Sequence, residues 1–220
     1  MPRVDAVLFD FGDTLFGRAG GHQLIVDAAR RLGRDVDADT ARALWDDIQA
    51  RARTPEELAK GRDLSVDLHR SCWIDLYRAA DVVAPGMAEL LYEFEIDPGG
   101  WAPFEDTRPV LEGLATHGIP VVVVSDAAFD VPAVVTHHDL DHLVAGYVLS
   151  YEVGVTKPDA KVFDRALELV GVDASRALMV GDNPSSDAGA AAVGIRTLLL
   201  PRNVGELVRG LDDVLTLAHG

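Results

Sequence analysis

Short apolar runs, each ending at a polar residue, recur along this chain and predict the strands of a buried sheet. Residues 4–9 are mostly apolar and stop at Asp10, and residues 121–124 are four valines that stop at Ser125. Continuous runs of this length are typical of strands that are buried on both faces. Similar runs predict three more strands, at residues 146–150, 177–180 and 196–200.

Amphipathic stretches between these runs predict helices. In the second half of the chain they cover residues 107–117, 163–170 and 188–193, and a last helix has an apolar face from Val204 to Leu215. Strands that alternate with helices in this way imply an α/β fold. We therefore predict a doubly wound, mainly parallel, Rossmann-like sheet.

A long helical region interrupts this alternation after the first strand. Its helical stretches show no strand pattern, and they cover residues 24–32, 41–51, 66–79 and 86–94. Pro98 and the two glycines after it mark the exit from this region. The sequence therefore predicts a discontinuous core of residues 1–16 and 100–220, with a small helical cap domain of residues 17–99 inserted into it.

Composition and charge narrow the range of functions. The chain has 220 residues, and 36 acidic against 20 basic residues give a formal net charge of −16. Such an acidic surface argues against nucleic acid or an anionic membrane as the main partner, but it allows a small-molecule substrate. No apolar run approaches the ~20 residues of a membrane helix. The start of the chain lacks the apolar segment of a secretory signal, so we expect a cytoplasmic protein.

Polar residues with catalytic potential lie where predicted strands end. Asp10, Ser125 and Asp182 each follow or end a strand, and parallel strands bind ligands beyond their carboxyl ends. With Asp187, the two aspartates form an acidic cluster that a hard cation such as Mg²⁺ would stabilise. A carboxylate such as Asp10 can also act as a nucleophile. Lys157 is a candidate for the positive charge that a transferring anionic group requires.

Four segments, in this order, resemble the motifs of the haloacid dehalogenase-like hydrolase superfamily. They are LFDFGDTL at residues 8–15, VVVVSD at 121–126, KPD at 157–159 and VGDNPSSD at 180–187. The resemblance spans the predicted core, and it implies that the inserted helices are the family's small helical cap. The segment LSYEVG at 149–154 is similar to the subgroup that includes the domain-containing protein 3 type.

The resemblance implies a role for each motif residue. Asp10 is the nucleophile, and Lys157 is its countercharge. The implied Mg²⁺ ligands are Asp10, the backbone carbonyl of Gly12, Asp182 and Asp187. The residues implied to hold or line the phosphorylated substrate are Ser125, Asp126, Lys157 and Asn183.

The chain departs from the family pattern two residues after the implied nucleophile. The family's phosphatases usually have a second aspartate there, which protonates the leaving group and then activates water, whereas this chain has Gly12. Losing a general acid–base typically costs ~10²–10⁴ in rate. Asp13 is one candidate replacement in catalysis, although side chains at adjacent positions point in different directions. A cap residue or water is the other.

Three functions remain open on these residues. The first is a Mg²⁺-dependent phosphatase acting on a small phosphorylated metabolite, which is slow if nothing replaces the missing acid. The second is a 2-haloacid dehalogenase-type hydrolase, which needs no metal and also lacks the second aspartate, although the pair Asp182 and Asp187 suits it poorly. The third is a catalytically impaired binding or regulatory member. The sequence does not indicate an oligomeric state.

Overall fold

The computed structural model describes residues 3–18, 20–201 and 208–219. Its strands are β1 (Ala6–Phe9), β2 (Phe16–Arg18), β3 (Trp101–Pro103), β4 (Val121–Ser125), β5 (Gly146–Leu149), β6 (Ala177–Gly181) and β7 (Arg196–Leu199). Its α-helices are α1 (Gln23–Arg31), α2 (Ala38–Ala52), α3 (Pro55–Leu58), α4 (Val66–Tyr77), α5 (Met87–Ile96), α6 (Thr107–Thr116), α7 (Val131–His137), α8 (Ser150–Val153), α9 (Ala160–Val170) and α10 (Asp212–His219). Short 3₁₀ turns lie at Arg62–Leu64, Arg78–Val82, Pro98–Gly100, Asp141–Leu143, Ala174–Arg176 and Asp187–Val193.

The main sheet is parallel, and β1 lies at its centre. In the described part of the chain its strands follow the order β5-β4-β1-β6-β7. Val7 of β1 pairs with Val121 on one side and with Leu178 on the other. Every residue of β1, β4 and β6 is buried, which explains why their sequences are continuous apolar runs.

Helices cover both faces of this sheet. Successive strand side chains point to opposite faces, and Val7 and Phe9 accordingly pack in one hydrophobic cluster with residues of α6, α7 and α10. Leu8 packs in a second cluster, on the other face, with Val162 and Phe163 of α9. The predicted doubly wound α/β architecture is therefore confirmed.

The inserted helices form a third hydrophobic cluster of their own. Its buried residues include Ile25, Ile48, Tyr77 and Met87, which come from α1, α2, α4 and α5. The antiparallel strands β2 and β3 pair where the chain leaves the sheet region and where it returns. The sequence pattern missed both strands because three residues are too short to show a period. The predicted boundaries between core and cap fall beside this pair, and the division itself stays a prediction.

Helices α3, α7 and α8 were not predicted, and two predicted helices differ from the observed structure. The expected last helix begins at Val204, which lies outside the described residues, and within them α10 begins only at Asp212. Gly210 has a φ of 81°, a left-handed conformation that interrupts helical backbone before that point. The predicted helix at 188–193 is instead part of a 3₁₀ turn. No helix within the described ranges is both long and apolar enough to cross a bilayer.

Candidate active site

The carboxyl ends of three neighbouring strands bring the predicted polar residues to one edge of the sheet. Asp10 follows β1, Ser125 ends β4 and Asp182 follows β6, and each is at most 8% exposed. The backbone amide of Asp10 donates a 2.9 Å hydrogen bond to the carbonyl of Val180, which fixes the start of the loop after β1. Residues far apart in sequence thus meet because their strands are adjacent and parallel.

Lys157 reaches into this edge from the loop between α8 and α9. Its Nζ lies 2.6 Å from Oδ1 of Asp10 and 2.6 Å from Oδ1 of Asp187, and it donates a third hydrogen bond of 3.1 Å to the carbonyl of Val124. An ammonium has three hydrogens, so these partners satisfy all of them. Lys157 is therefore a fixed bridge between two carboxylates on different segments.

Two contacts hold the Lys157 loop in place. The backbone amide of Lys157 donates to Oδ1 of Asp126 at 2.9 Å, so the side chain of Asp126 anchors this loop. Gly189 lies against the other side of the loop, where an added Cβ would stand 2.4 Å from Cβ of Pro158. Only glycine permits that approach, which explains the small residue in the 3₁₀ turn after Asp187.

The carboxylate cluster consists of Asp10, Asp182 and Asp187. Ligand oxygens from all three lie within 4.8 Å of one another. Asp187 is fully buried, and its Oδ2 also accepts a 2.9 Å hydrogen bond from the amide of Asn183. A Cβ at Gly181 would lie 2.2 Å from Oδ2 of Asp187, so the glycine makes room for this carboxylate.

This cluster fits a hard divalent cation. The three carboxylates are buried and lie close together, and Lys157 contacts two of them. Like charges in such a position repel one another unless a cation lies between them. Carboxylate oxygens are the ligands that Mg²⁺ prefers. The donor set is therefore the one expected of a magnesium site.

Burial and charge shift the pKa values in the cluster. Burial raises the pKa of Asp10, Lys157 opposes that shift, and Asp187 and Asp182 add to it. Burial lowers the pKa of Lys157, but the carboxylates of Asp10, Asp187 and Asp126 outweigh burial and the pKa is raised. Lys157 therefore keeps its proton and its charge beside the proposed nucleophile.

The structure adds Thr14 to the site and shows that the side-chain oxygen of Asn183 binds within its own turn. Thr14 is fully buried, and its hydroxyl donates a 3.3 Å hydrogen bond to Oδ2 of Asp10. Thr14 was not predicted as a site residue, although it lies in the same loop motif as Asp10. Asn183 uses its side-chain oxygen within its own turn, where it accepts hydrogen bonds from the amide and hydroxyl of Ser185 at 3.1 and 2.7 Å.

The leaving-group side of Asp10 has no carboxylate at the position where the family's phosphatases carry one. Gly12 does not adopt a left-handed φ, and the nearest atom to an added Cβ there is Cζ3 of Trp101, at 3.9 Å. Neither conformation nor space therefore requires glycine at this position. Asp13 is exposed in a left-handed turn with a φ of 57°, and its amide donates to the carbonyl of Phe16 at 2.8 Å. Its catalytic role stays a prediction.

An aromatic series joins the loop after β1 to the inserted helices. Phe11 contacts Trp101 with ring centroids 5.0 Å apart, and Trp101 stacks on Phe129 at 5.5 Å. Phe129 in turn lies 5.8 Å from the ring of His69 in α4. This series was not predicted, because its members are distant in sequence and each alone is an ordinary core residue.

Comparisons with known proteins agree with this geometry. The model of the haloacid dehalogenase-like hydrolase family matches residues 4–194. Haloacid dehalogenase-like hydrolase domain-containing protein 3 of Bos taurus is 29% identical over 192 residues, which cover 78% of this chain and 71% of that protein. Ribulose-1,5-bisphosphate 5-phosphatase of Halopiger xanaduensis is 28% identical, over 96% of this chain and 91% of that enzyme. A solved dehalogenase structure with an intermediate complex shares the fold, with a TM-score of 0.74 at 19% identity over 99% of this chain and 98% of that one.

Proposed function

The chain belongs to the haloacid dehalogenase-like hydrolase family, and we propose that it is a Mg²⁺-dependent phosphatase acting on a small phosphorylated metabolite. The observation that carries this proposal is the buried cluster in which Lys157 bridges Asp10 and Asp187, with Asp182 alongside. Its three closely spaced carboxylates suit a divalent cation, and its ammonium suits a phosphoryl group. The similarity to a sugar bisphosphate phosphatase supports the same reaction class.

Asp10 is the proposed nucleophile. Its Oδ1 is bound by Lys157 at 2.6 Å, whereas its Oδ2 accepts only a long 3.3 Å hydrogen bond from Thr14. Oδ2 therefore keeps a lone pair for attack on phosphorus, and the bond that forms gives an aspartyl phosphate. Lys157 holds the carboxylate in one orientation and reduces its repulsion of an anionic substrate.

The remaining motif residues are proposed to hold the transferring group. The hydroxyl of Ser125, at the end of β4, donates a hydrogen bond to a phosphoryl oxygen, and the charge of Lys157 attracts the phosphoryl group. Asp126 and Asn183 shape the loops beside them. Asp10, the Gly12 carbonyl, Asp182 and Asp187 would hold Mg²⁺. When bound, the ion neutralises the carboxylates and the charge of the phosphoryl group.

A dehalogenase is the second candidate, and Gly12 is the observation that favours it. The halide that leaves a haloacid needs no proton, so the absence of an acid at this position would not slow the reaction. The cluster of Asp10, Asp182 and Asp187 opposes it, because an acidic group repels an anionic haloacid in the absence of a cation. Chelator-insensitive release of chloride from 2-chloropropionate would establish this alternative.

Hydrolysis of p-nitrophenyl phosphate tests the phosphatase proposal. We expect Mg²⁺-dependent turnover that chelation abolishes and that Asp10→Asn reduces to background, because the amide is a poor nucleophile. Asp164→Asn is the matched control, since Asp164 is exposed on α9 and should leave turnover unchanged. Turnover that survives Asp10→Asn, or that ignores chelation, would contradict the proposal.

A further inference from the structure

A turn of the inserted helices docks directly against the catalytic edge. In this turn, Arg62–Leu64, the carbonyl of Asp63 accepts a 2.5 Å hydrogen bond from the hydroxyl of Ser150. The same hydroxyl lies 3.5 Å from the carbonyl of Ala127, which is two residues after Ser125. The backbone of Asp63 is therefore fixed beside the loop that follows β4.

The side chain of Asp63 is free to interact with a substrate. Its carboxylate is 21% exposed, and the ion pair it forms, with Nε of Arg62, is long at 3.8 Å. Among the described residues no hydrogen-bond donor is bound to this carboxylate. A partly buried acid that no donor engages, beside a catalytic loop, has both its proton and its lone pairs available.

Burial and the charges around Asp63 bring its pKa into the range that suits a general acid–base catalyst. Burial raises the pKa of Asp63 to about 6, Arg62 of the same turn opposes that shift, and the carboxylates of Asp126 and Glu95 add to it. His69 of α4 is also buried, and burial lowers its pKa to about 4, so it is neutral. An acid–base catalyst is most effective when its pKa lies near the working pH.

We propose that Asp63 supplies the general acid and base that Gly12 cannot, and this inference rests on the proposed phosphatase function. In the first step an Asp10 oxygen bonds to phosphorus, the bond from phosphorus to the leaving oxygen breaks, and the Asp63 carboxyl gives its proton to that oxygen. In the second step water bonds to phosphorus, the Asp63 carboxylate takes a proton from it, and the bond from Asp10 to phosphorus breaks. The products are an alcohol and inorganic phosphate.

Three other acids near the site are less suited to this role. Asp13 is exposed in its left-handed turn. Asp126 accepts the amide of Lys157. Glu95 pairs with Arg18 and accepts the hydroxyl of Tyr77. Asp63 differs from these three because it lies beside the loop after β4 and no described donor binds its carboxylate.

The test compares two leaving groups in Asp63→Asn. The value of kcat/KM reports formation of the phosphoenzyme, in which an alkyl phosphate needs an acid and p-nitrophenyl phosphate does not. We expect kcat/KM for glycerol phosphate to fall about 10²-fold or more, while kcat/KM for p-nitrophenyl phosphate stays within about threefold. Asp67→Asn, an exposed aspartate of α4, is the matched control and should change neither.

The pH profile and a second substitution separate catalysis from mere structure. In the wild type, kcat/KM for glycerol phosphate should decline above pH ~6 as the acid loses its proton, and Asp63→Asn should remove this decline. Adding Gly12→Asp to Asp63→Asn restores a carboxyl at the usual position. This double variant should recover kcat/KM for glycerol phosphate.

Three results would overturn the inference. In Asp63→Asn, these are an equal loss of kcat/KM on both substrates, a pH profile of kcat/KM like that of the wild type, and an unchanged kcat/KM for glycerol phosphate. If Asp10→Asn abolishes turnover while Asp63→Asn is silent, only this inference fails. If the wild type hydrolyses neither substrate with Mg²⁺, the phosphatase function and this inference fail together.

Discussion

Two buried clusters of charged side chains in this molecule differ in how their acidic groups are arranged. The core cluster contains Asp10, Lys157, Asp182 and Asp187, and oxygens of its three carboxylates lie within 4.8 Å of one another. The linker cluster lies beside β2 and β3 and contains Arg18, Tyr77, Glu95 and Trp101. There one guanidinium pairs with one carboxylate.

The linker cluster is complete within the chain. Glu95 Oε2 accepts the hydroxyl of Tyr77 at 2.5 Å and pairs with Arg18. The carbonyl of Glu95 accepts Arg18 Nη1 at 2.9 Å and the indole of Trp101 at 3.2 Å. Burial and Glu95 both raise the pKa of Tyr77, so its proton stays in place. Buried charge alone is therefore not a sign of function, whereas several carboxylates held close together point to a bound cation.

Removing the ammonium of the core cluster should have the largest effect. Lys157→Met leaves Asp10 and Asp187 buried without a countercharge, and breaking a buried pair in this way typically costs about 3–5 kcal/mol. We expect denaturant unfolding to show a loss of this size without metal. The turnover of p-nitrophenyl phosphate should fall by at least about 10²–10³.

Lys161→Met is the control for this loss, because Lys161 is exposed on α9. It should unfold like the wild type and retain turnover. If both variants had equal stability, Lys157 would not hold the cluster together.

Mg²⁺ should bind the three closely spaced carboxylates of the core cluster and stabilise the fold. At a concentration of 100 times its dissociation constant, an ion that binds only the folded state raises the free energy of unfolding by about 2.7 kcal/mol. Thermal unfolding with and without Mg²⁺ measures this effect, and Asp182→Asn should diminish it, whereas Asp164→Asn should not. If Mg²⁺ did not stabilise the wild type against unfolding, the claim that the core cluster binds this ion would be contradicted.

The linker cluster should affect stability without affecting chemistry. Glu95→Gln removes the charge that neutralises Arg18 but keeps an oxygen for Tyr77, so we expect a loss of about 2 kcal/mol. Turnover at saturating p-nitrophenyl phosphate should stay within about threefold of the wild type. Glu93→Gln, at an exposed position of the same helix, should change neither quantity. A large loss of turnover in Glu95→Gln would mean that this cluster also serves the reaction.

The sequence predicted the sheet and most residues of the core cluster for one physical reason. Buried strands leave local apolar runs, and parallel strands end at one edge, so Asp10, Ser125 and Asp182 could be assigned to a common place without any contact being known. Asp187 and Lys157 were candidates from their residue types, as a further carboxylate and as a positive charge, and the family resemblance implied matching roles. Both lie in the cluster.

The contacts of the inserted helices could not be predicted in the same way. Asp63 lies in a short turn, and only tertiary packing brings it to Ser150 and the loop after β4. Trp101 and His69 carry no sequence signal of their own, because their ring contacts with Phe129 form only in the folded chain. The start of α10 was predicted too early, because the apolar periodicity of the sequence does not show that Gly210 has a left-handed φ.

Trapping the covalent intermediate tests the central claim, that Asp10 attacks phosphorus, most directly. The enzyme is mixed with Mg²⁺ and p-nitrophenyl phosphate, quenched with acid during turnover and reduced with borohydride, which converts an aspartyl phosphate to homoserine. Peptide mass spectrometry should then find homoserine at position 10, and it should be absent from Asp10→Asn. Turnover with no reducible residue at position 10, or with one at another carboxylate, would contradict this account.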